Sequence, residues 1–118
     1  MLPKENRLNI RTTFSQIKNL GKKVHDDSLL IYYVKANTTS AAKFGISVSK
    51  KVSKSAVVRN SLRRKLHTAL YKIQNKLDPG VDSIIIILKN FSEEKQEITG
   101  ERINKLLGKA GIINEKNS

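Results

Sequence analysis

The feature that most constrains the fold is a stretch of fifty residues that contains no acid. Between Asp27 and Asp78 the chain has eleven lysines and arginines and no aspartate or glutamate, so this span carries most of the formal net charge of +13. Like charges repel one another across a compact domain, and charged groups are costly to bury. The basic side chains must therefore lie on the surface. There they favour a polyanionic partner, of which nucleic acid is the first hypothesis.

The best-defined element in this span is an amphipathic helix that begins after Ser53 or Ser55, either of which is a suitable N-cap. Its apolar residues recur at helical spacing and fall on one arc, which must face the core. These residues are Val58, Leu62, Leu66, Ala69, Leu70, Ile73 and Leu77.

The opposite side of the same helix is basic and polar. It lacks the acids at i,i+4 spacing that an ordinary solvent-facing helix uses to pair its bases. Three further lysines precede the helix, at the end where its dipole is positive. The candidate binding residues are Lys50, Lys51 and Lys54 in the loop, Arg59 at the edge of the apolar arc, and Asn60, Arg63, Arg64 and His67 on the outer face.

Three segments have the residue patterns of β-strands. Residues 29–35 place Tyr32 on one of two apolar faces, and the polar residues that follow predict a hairpin-type connection. Residues 44–49 alternate strictly, with Ser47 and Ser49 in a row of small residues that predicts a shallow, wettable surface. Residues 83–88 are continuously apolar, which is typical of a central strand covered on both sides.

Shorter helices are predicted towards both ends of the chain. The first begins at Thr12 or Thr13, carries Phe14 as a core residue and ends at Gly21. The last is amphipathic and ends at Gly111.

The order helix, strands, helix, strand, helix predicts an α+β fold, a small two-layer sandwich in a single domain of residues 1–118. One face of the sheet packs against helices and the other stays partly open. We expect the termini to fray at about residues 1–8 and 112–118.

Several classes of protein are excluded by composition. The absence of cysteine excludes thiol catalysis, cysteine-ligated zinc and disulfides. No set of residues forms a nucleophile motif, a phosphate-binding glycine loop or a spaced metal site, so no catalytic or metal-binding residue is predicted. No apolar run is long enough to span a bilayer, and the first residues lack the apolar centre of a secretory signal. The expected setting is cytoplasmic.

The central stretch resembles the protein subunit of bacterial ribonuclease P. The resemblance rests on GISVSKKV at residues 45–52, on AVVRN at residues 56–60, and on Arg63, Arg64 and His67. KENRL at residues 4–8 and a Pro-Gly turn before an apolar strand support it. It implies a sandwich like the second domain of a small-subunit ribosomal protein, with a left-handed β-α-β crossover that departs from the usual right-handed rule.

The resemblance also implies a role. The protein accompanies a catalytic RNA that removes the 5′ leader of precursor tRNA, and the RNA holds the magnesium ions that perform the hydrolysis. The expected partners are that RNA and precursor tRNA, with the protein itself monomeric. The basic helix and its loop would face RNA. The single-stranded leader would lie in a cleft formed by Phe14, Lys18, Tyr32, Ser47 and Ser49, which revises the core interpretation of Phe14.

Three residues depart from the family pattern. Ser61 and His67 stand where arginines are common, so contact with RNA there would be weaker or would be made by Lys65. Lys18 stands where an aromatic residue is common.

Two other classes of protein remain open. A non-catalytic RNA-binding module, such as a small ribosomal or RNA-chaperone protein, fits the charge equally well. A protein-only nuclease would require clustered carboxylates.

Overall fold

A computed structural model describes residues 6–35 and 41–113, apart from the side chains of three residues in the first helix. Within these residues the fold has three α-helices and four strands, with a short 3₁₀ turn after the second helix. In chain order they are α1 (Ile10–Leu20), β1 (Lys22–His25), β2 (Leu29–Lys35), β3 (Lys43–Val48), α2 (Ala56–Lys72), the 3₁₀ turn (Gln74–Lys76), β4 (Val81–Ile87) and α3 (Gln96–Ala110).

The four strands form one sheet in the order β1-β2-β4-β3. β2 is antiparallel to both of its neighbours, whereas β3 and β4 are parallel. The most apolar strand, β4, is therefore central, as predicted. It also separates β2 from β3, so the expected hairpin connection was wrong. Parallel neighbours need a crossover, and α2 provides it. The left-handedness of this crossover stays a prediction.

One face of the sheet carries the main hydrophobic core. Helices α2 and α3 cover it, and both pack against each other as well as against the sheet. Every second residue along each strand points into this core, because successive side chains of a strand point to opposite faces of the sheet. The largest fully buried side chains on this side are Leu29, Ile31, Phe44, Ile85 and Ile87 from the strands, and Leu62, Leu66, Leu70, Ile103 and Leu107 from the helices.

Helix α1 lies on the other face, so the helices are not all on one side of the sheet as the sequence suggested. Its Ile10 sits over Gly45 of β3, and its Ile17 is buried outside the main core. At its end, Gly21 N–H donates to the Ile17 carbonyl at 2.8 Å. Gly21 does not have a positive φ. It is required instead because a Cβ there would come within 2.6 Å of the Tyr33 carbonyl oxygen.

Strand β1 was not predicted, because KKVH has a single apolar residue and no readable alternation. It forms through the turn that follows it. One carboxylate oxygen of Asp26 accepts the backbone N–H groups of Ser28 and Leu29, both at 2.8 Å. This turn folds the chain back, so residues 22–25 pair with β2.

Helix boundaries differ from the predictions at two points. α1 begins at Ile10, before either predicted threonine cap. α2 ends at Lys72 and not at Leu77. A 3₁₀ turn follows it, and Leu77 forms an isolated bridge with Ile113.

Parts of both termini that were expected to fray are instead packed in the structure. Asn6 donates to the Ala42 carbonyl at 2.7 Å, and Leu8 N–H donates to the Phe44 carbonyl at 3.0 Å. Ile112 is 2% exposed. Residues 1–5 and 114–118 lie outside the described residues.

Candidate nucleic-acid interface

The loop before α2 is built to present its lysines outward. Ser55 caps the helix by accepting the Val58 N–H at 3.2 Å, which confirms it as the N-cap. Ser53 accepts the Ser55 N–H, and Ser49 accepts the Lys51 N–H, both at 3.2 Å. The serine hydroxyls thus satisfy the backbone of the loop, while Lys50, Lys51 and Lys54 are all exposed.

Two arginines of α2 are held by short-range hydrogen bonds. Arg59 is half-buried, and its guanidinium donates to the Ser53 carbonyl at 2.9 Å, which fixes the loop against the helix. Arg63 donates to the Asn60 side-chain oxygen at 2.8 Å, one turn earlier. Asn60 and Arg64 are exposed. We call the exposed lysines of the loop together with Asn60, Arg63 and Arg64 the basic patch.

His67 does not point outward as the helical periodicity predicted. Together with Arg63 it lines a crevice of about 350 Å³ against the N-terminal segment and β3. Its Nδ1 is buried and has no hydrogen-bond partner among the described residues. Burial lowers the pKa of the imidazole, and the positive charge of Arg7 lowers it further. The residue is therefore held neutral in the free protein at neutral pH.

Lys65 is not positioned to replace a missing arginine. Its ammonium group donates to the Glu94 carbonyl, and its own carbonyl accepts the Gln96 side chain at 3.0 Å. The lysine thereby connects α2 to the segment before α3, on the side away from the basic patch.

Asp26 and Glu94 are both engaged with one arginine of α3. Arg102 donates to both carboxylate oxygens of Asp26 at 3.0 and 3.1 Å and to both of Glu94 at 3.0 and 2.9 Å. Its guanidinium also lies 5.2 Å from the centre of the Phe91 ring. Burial raises the pKa of Asp26. The hydrogen bonds from Arg102 and from two backbone N–H groups outweigh it, so the pKa lies below its ordinary value.

The second basic surface is the part of the sheet that α1 leaves uncovered. Its floor consists of half-buried side chains from three neighbouring strands: Leu30 and Tyr32 of β2, Ile86 of β4 and Ser47 of β3. Register places Leu30 opposite Ile86 and Ile86 opposite Ser47, so these residues form a continuous row across the strands. We call this surface, with Lys23 and His25 of β1, the open face.

Helix α1 supplies one wall of the open face. Phe14 is half-buried, and the Lys18 ammonium lies 5.9 Å from the centre of its ring, one turn along the same helix. That distance is within the range of a cation–π contact. Ser49 lies just beyond the end of β3, where the open face meets the loop of the basic patch. The cleft residues proposed from the resemblance therefore belong to elements that adjoin, although their contact with RNA stays a prediction.

Sequence reasoning missed Lys23 and His25. Antiparallel register puts Lys23 opposite Tyr32 and His25 opposite Leu30, so both exposed side chains lie on the open face. The available signal was the Asp26-Asp27-Ser28 turn, which predicts that the residues before it fold back onto β2.

The side chains of the described residues do not form a metal site. Within residues 6–35 and 41–113, no group of three histidines, cysteines or acids could hold one. Asp26 and Glu94, which the fold brings to the same arginine, already share Arg102. We therefore derive no chemical step from a metal held by this chain.

The fold and its two basic surfaces define a class: small α+β proteins whose basic helix and open sheet face have the chemistry to bind nucleic acid. The sequence pattern of the family described as Ribonuclease P matches residues 2–111. The ribonuclease P protein component of Synechocystis sp. is 33% identical over 117 residues, covering 99% of this chain and 94% of its own length. That of Caldanaerobacter subterraneus is 32% identical over 116 residues, covering 98% of each.

Solved structures agree on the fold. The RNase P protein of Staphylococcus aureus superposes with a TM-score of 0.81 at 22% identity, covering 94% of this chain and all of its own. That of Thermotoga maritima gives a TM-score of 0.77 at 25% identity, covering 87% of this chain and 96% of its own. The chain belongs to the bacterial ribonuclease P protein family.

Membership makes the chain a subunit of the ribonuclease P holoenzyme, an endoribonuclease of tRNA 5′ maturation, and implies a partnership with the ribonuclease P RNA. Among the described helices, none is both long and apolar enough to cross a membrane.

Proposed function

We propose that the basic patch binds the ribonuclease P RNA and that the open face binds the single-stranded 5′ leader of precursor tRNA. In this division of roles the protein holds the substrate, and the RNA cleaves it. The observation that carries the proposal is that the two surfaces adjoin at Ser49 and differ in character. One is a cationic helix terminus, and the other is a shallow floor that contains an aromatic ring.

The basic patch has the chemistry needed to bind phosphates of a folded RNA. Its lysines and arginines are exposed or half-buried, and an exposed amide at Asn60 adds a further donor. Contacts of this kind position a protein on nucleic acid and supply affinity that falls with salt. A positive helix N-terminus reinforces the attraction.

The open face has the chemistry needed to bind unpaired nucleotides. Unpaired bases stack on aromatic side chains, and Tyr32 offers a half-buried ring on a floor of small and apolar residues. Ser47 and Ser49 can donate to the sugar-phosphate backbone. Phe14 and Lys18 on α1 form one side of this surface.

Magnesium is proposed to be held mainly by the RNA, which leaves the protein to lower the repulsion between two polyanions. The protein is proposed to act as a monomer and in the cytoplasm, where tRNA precursors are processed.

Reconstitution tests the function directly. The purified protein is mixed with a bacterial ribonuclease P RNA and a precursor tRNA at low magnesium, and release of the 5′ leader is followed. We expect the protein to stimulate cleavage and to cleave nothing by itself. Tight RNA binding without stimulation, also with the cognate RNA, would instead identify a general RNA-binding module.

A further inference from the structure

The open face extends beyond Tyr32 to the outer strand β1. Lys23 is the cross-strand partner of Tyr32, and such partners have their Cβ atoms about 4.5–5.5 Å apart on one face of the sheet. His25 occupies the same position relative to Leu30. Both side chains are exposed. The aromatic ring is thus bordered by a cation on the side away from β3.

No ion pair among the described residues neutralises the charge of this border. Among residues 6–35 and 41–113, no acid forms an ion pair with Lys23 or Lys18. The row that forms the floor of the open face contains no acid either. An ammonium group beside a half-buried ring offers the two contacts that a nucleotide needs, one for its phosphate and one for its base.

The position of β1 in the sheet determines where along a bound single strand this border would lie. The basic patch adjoins the end of β3, and β1 is the strand farthest from β3 in the order β1-β2-β4-β3. Three strand spacings separate them, or about 14 Å. A single strand that leaves the basic patch and crosses the sheet therefore reaches β2, which carries Tyr32, before it reaches β1, which carries Lys23.

We propose that β1 is a further RNA-binding site, in which Lys23 binds a leader phosphate beyond the nucleotide that stacks on Tyr32. This inference rests on the proposed function of the open face and extends it to the nucleotides farthest from the cleavage site. Single-stranded RNA is the occupant because the surface is continuous with the proposed leader cleft, carries uncompensated positive charge and has an aromatic floor.

Lys22 provides a matched control for Lys23. It is the neighbouring residue on the same strand, is also exposed and carries the same charge. Its cross-strand partner is Tyr33, which packs against the main core, so the Lys22 side chain lies on the opposite face. Lys22→Ala and Lys23→Ala therefore remove equal charge from the two faces of one strand.

The test measures affinity of the reconstituted holoenzyme for precursor tRNAs whose leaders are shortened stepwise from the 5′ end. With the full leader, Lys23→Ala should weaken binding severalfold and reduce the salt slope by about 0.7, the value for one phosphate of a single strand. The loss should vanish once the leader is too short to reach β1. Lys22→Ala should match the parent protein at every length.

Three results would overturn the inference. A Lys23→Ala loss of equal size at every leader length, including mature tRNA, would make Lys23 a source of general attraction. No loss at any length would remove β1 from the RNA path. If the parent holoenzyme itself fails to prefer precursor over mature tRNA, the proposed function fails and this inference with it. If that preference is present and only the Lys23 effect is missing, the inference alone fails.

Discussion

Ile10 of α1 lies directly over Gly45 of β3, so closely that a Cβ on residue 45 would come within 2.4 Å of the Ile10 Cγ1. The absence of a side chain at Gly45 therefore sets how deeply α1 sits on the sheet. Because α1 also carries Phe14 and Lys18, the same contact sets the wall of the open face.

Gly45→Ala should destabilise the protein, because the added methyl forces Ile10 to a new rotamer or lifts α1. We expect the free energy of unfolding to fall by about 1–3 kcal/mol, as for overpacked sites, measured by urea denaturation. Gly100→Ala in α3 is the control, since a Cβ there meets nothing within 4 Å. It should raise stability by about 0.5–1 kcal/mol because alanine favours a helix interior. If Gly45→Ala were as stable as Gly100→Ala, α1 would be able to adjust to the added methyl group without loss of folding free energy.

Tyr32→Ala should weaken binding of precursor tRNA and leave mature tRNA unaffected, because only the precursor has a leader to stack on the ring. The expected loss is about 1–3 kcal/mol per stacked base, measured by equilibrium binding to the holoenzyme. Tyr32→Phe keeps the ring and should retain most of the affinity. A similar loss for both tRNAs would point to a defect in the sheet.

Arg64→Ala should weaken binding of the ribonuclease P RNA and lower the steepness of its salt dependence by about one unit, because an exposed arginine that contacts phosphate releases counterions. Arg63→Ala should have the same effect on the salt slope. Lys105→Ala, which removes an exposed charge from α3, is the control and should leave the slope unchanged. An unaltered slope in the α2 variants would place them outside the RNA contact.

His67 should make the stability of the free protein depend on pH. Its folded-state pKa lies below the ordinary value of 6.5, so the unfolded chain binds more protons as the pH falls through that value. Stability is then fully present above about pH 6.5 and declines as the pH falls towards the folded pKa. Thermal unfolding of His67→Gln should lack this part of the decline, whereas His25→Gln should retain it. A parallel decline in the parent protein and in His67→Gln would assign it to other groups.

The main elements could be predicted because their patterns are long. Helix α2 has an apolar arc over several turns, β4 contains an unbroken run of four isoleucines, and Gly111 does cap α3 with a φ of 74°. These patterns report which residues must be buried. They do not show which other element covers those residues. For this reason the placement of α1 on the opposite face of the sheet was not predicted.

The parts that were missed depend on contacts between residues far apart in the chain. His67 faces a crevice because the segment at Arg7 packs beside α2, and Lys65 turns to Glu94 because α3 follows from that side. The periodicity of apolar residues along one helix predicts neither of these contacts. Strand β1 likewise depends on a turn and on a partner strand more than on its own four residues.

The two outer strands leave little backbone available to another protein molecule. β3 is covered by the N-terminal segment through the bridge of Arg7 with Phe44, and β1 is only four residues long and carries two lysines. Short, charged or covered edges oppose the strand-to-strand pairing that begins aggregation. The lysine that we propose to bind leader RNA therefore has a second effect, which is to keep copies of the protein apart before the RNA is bound.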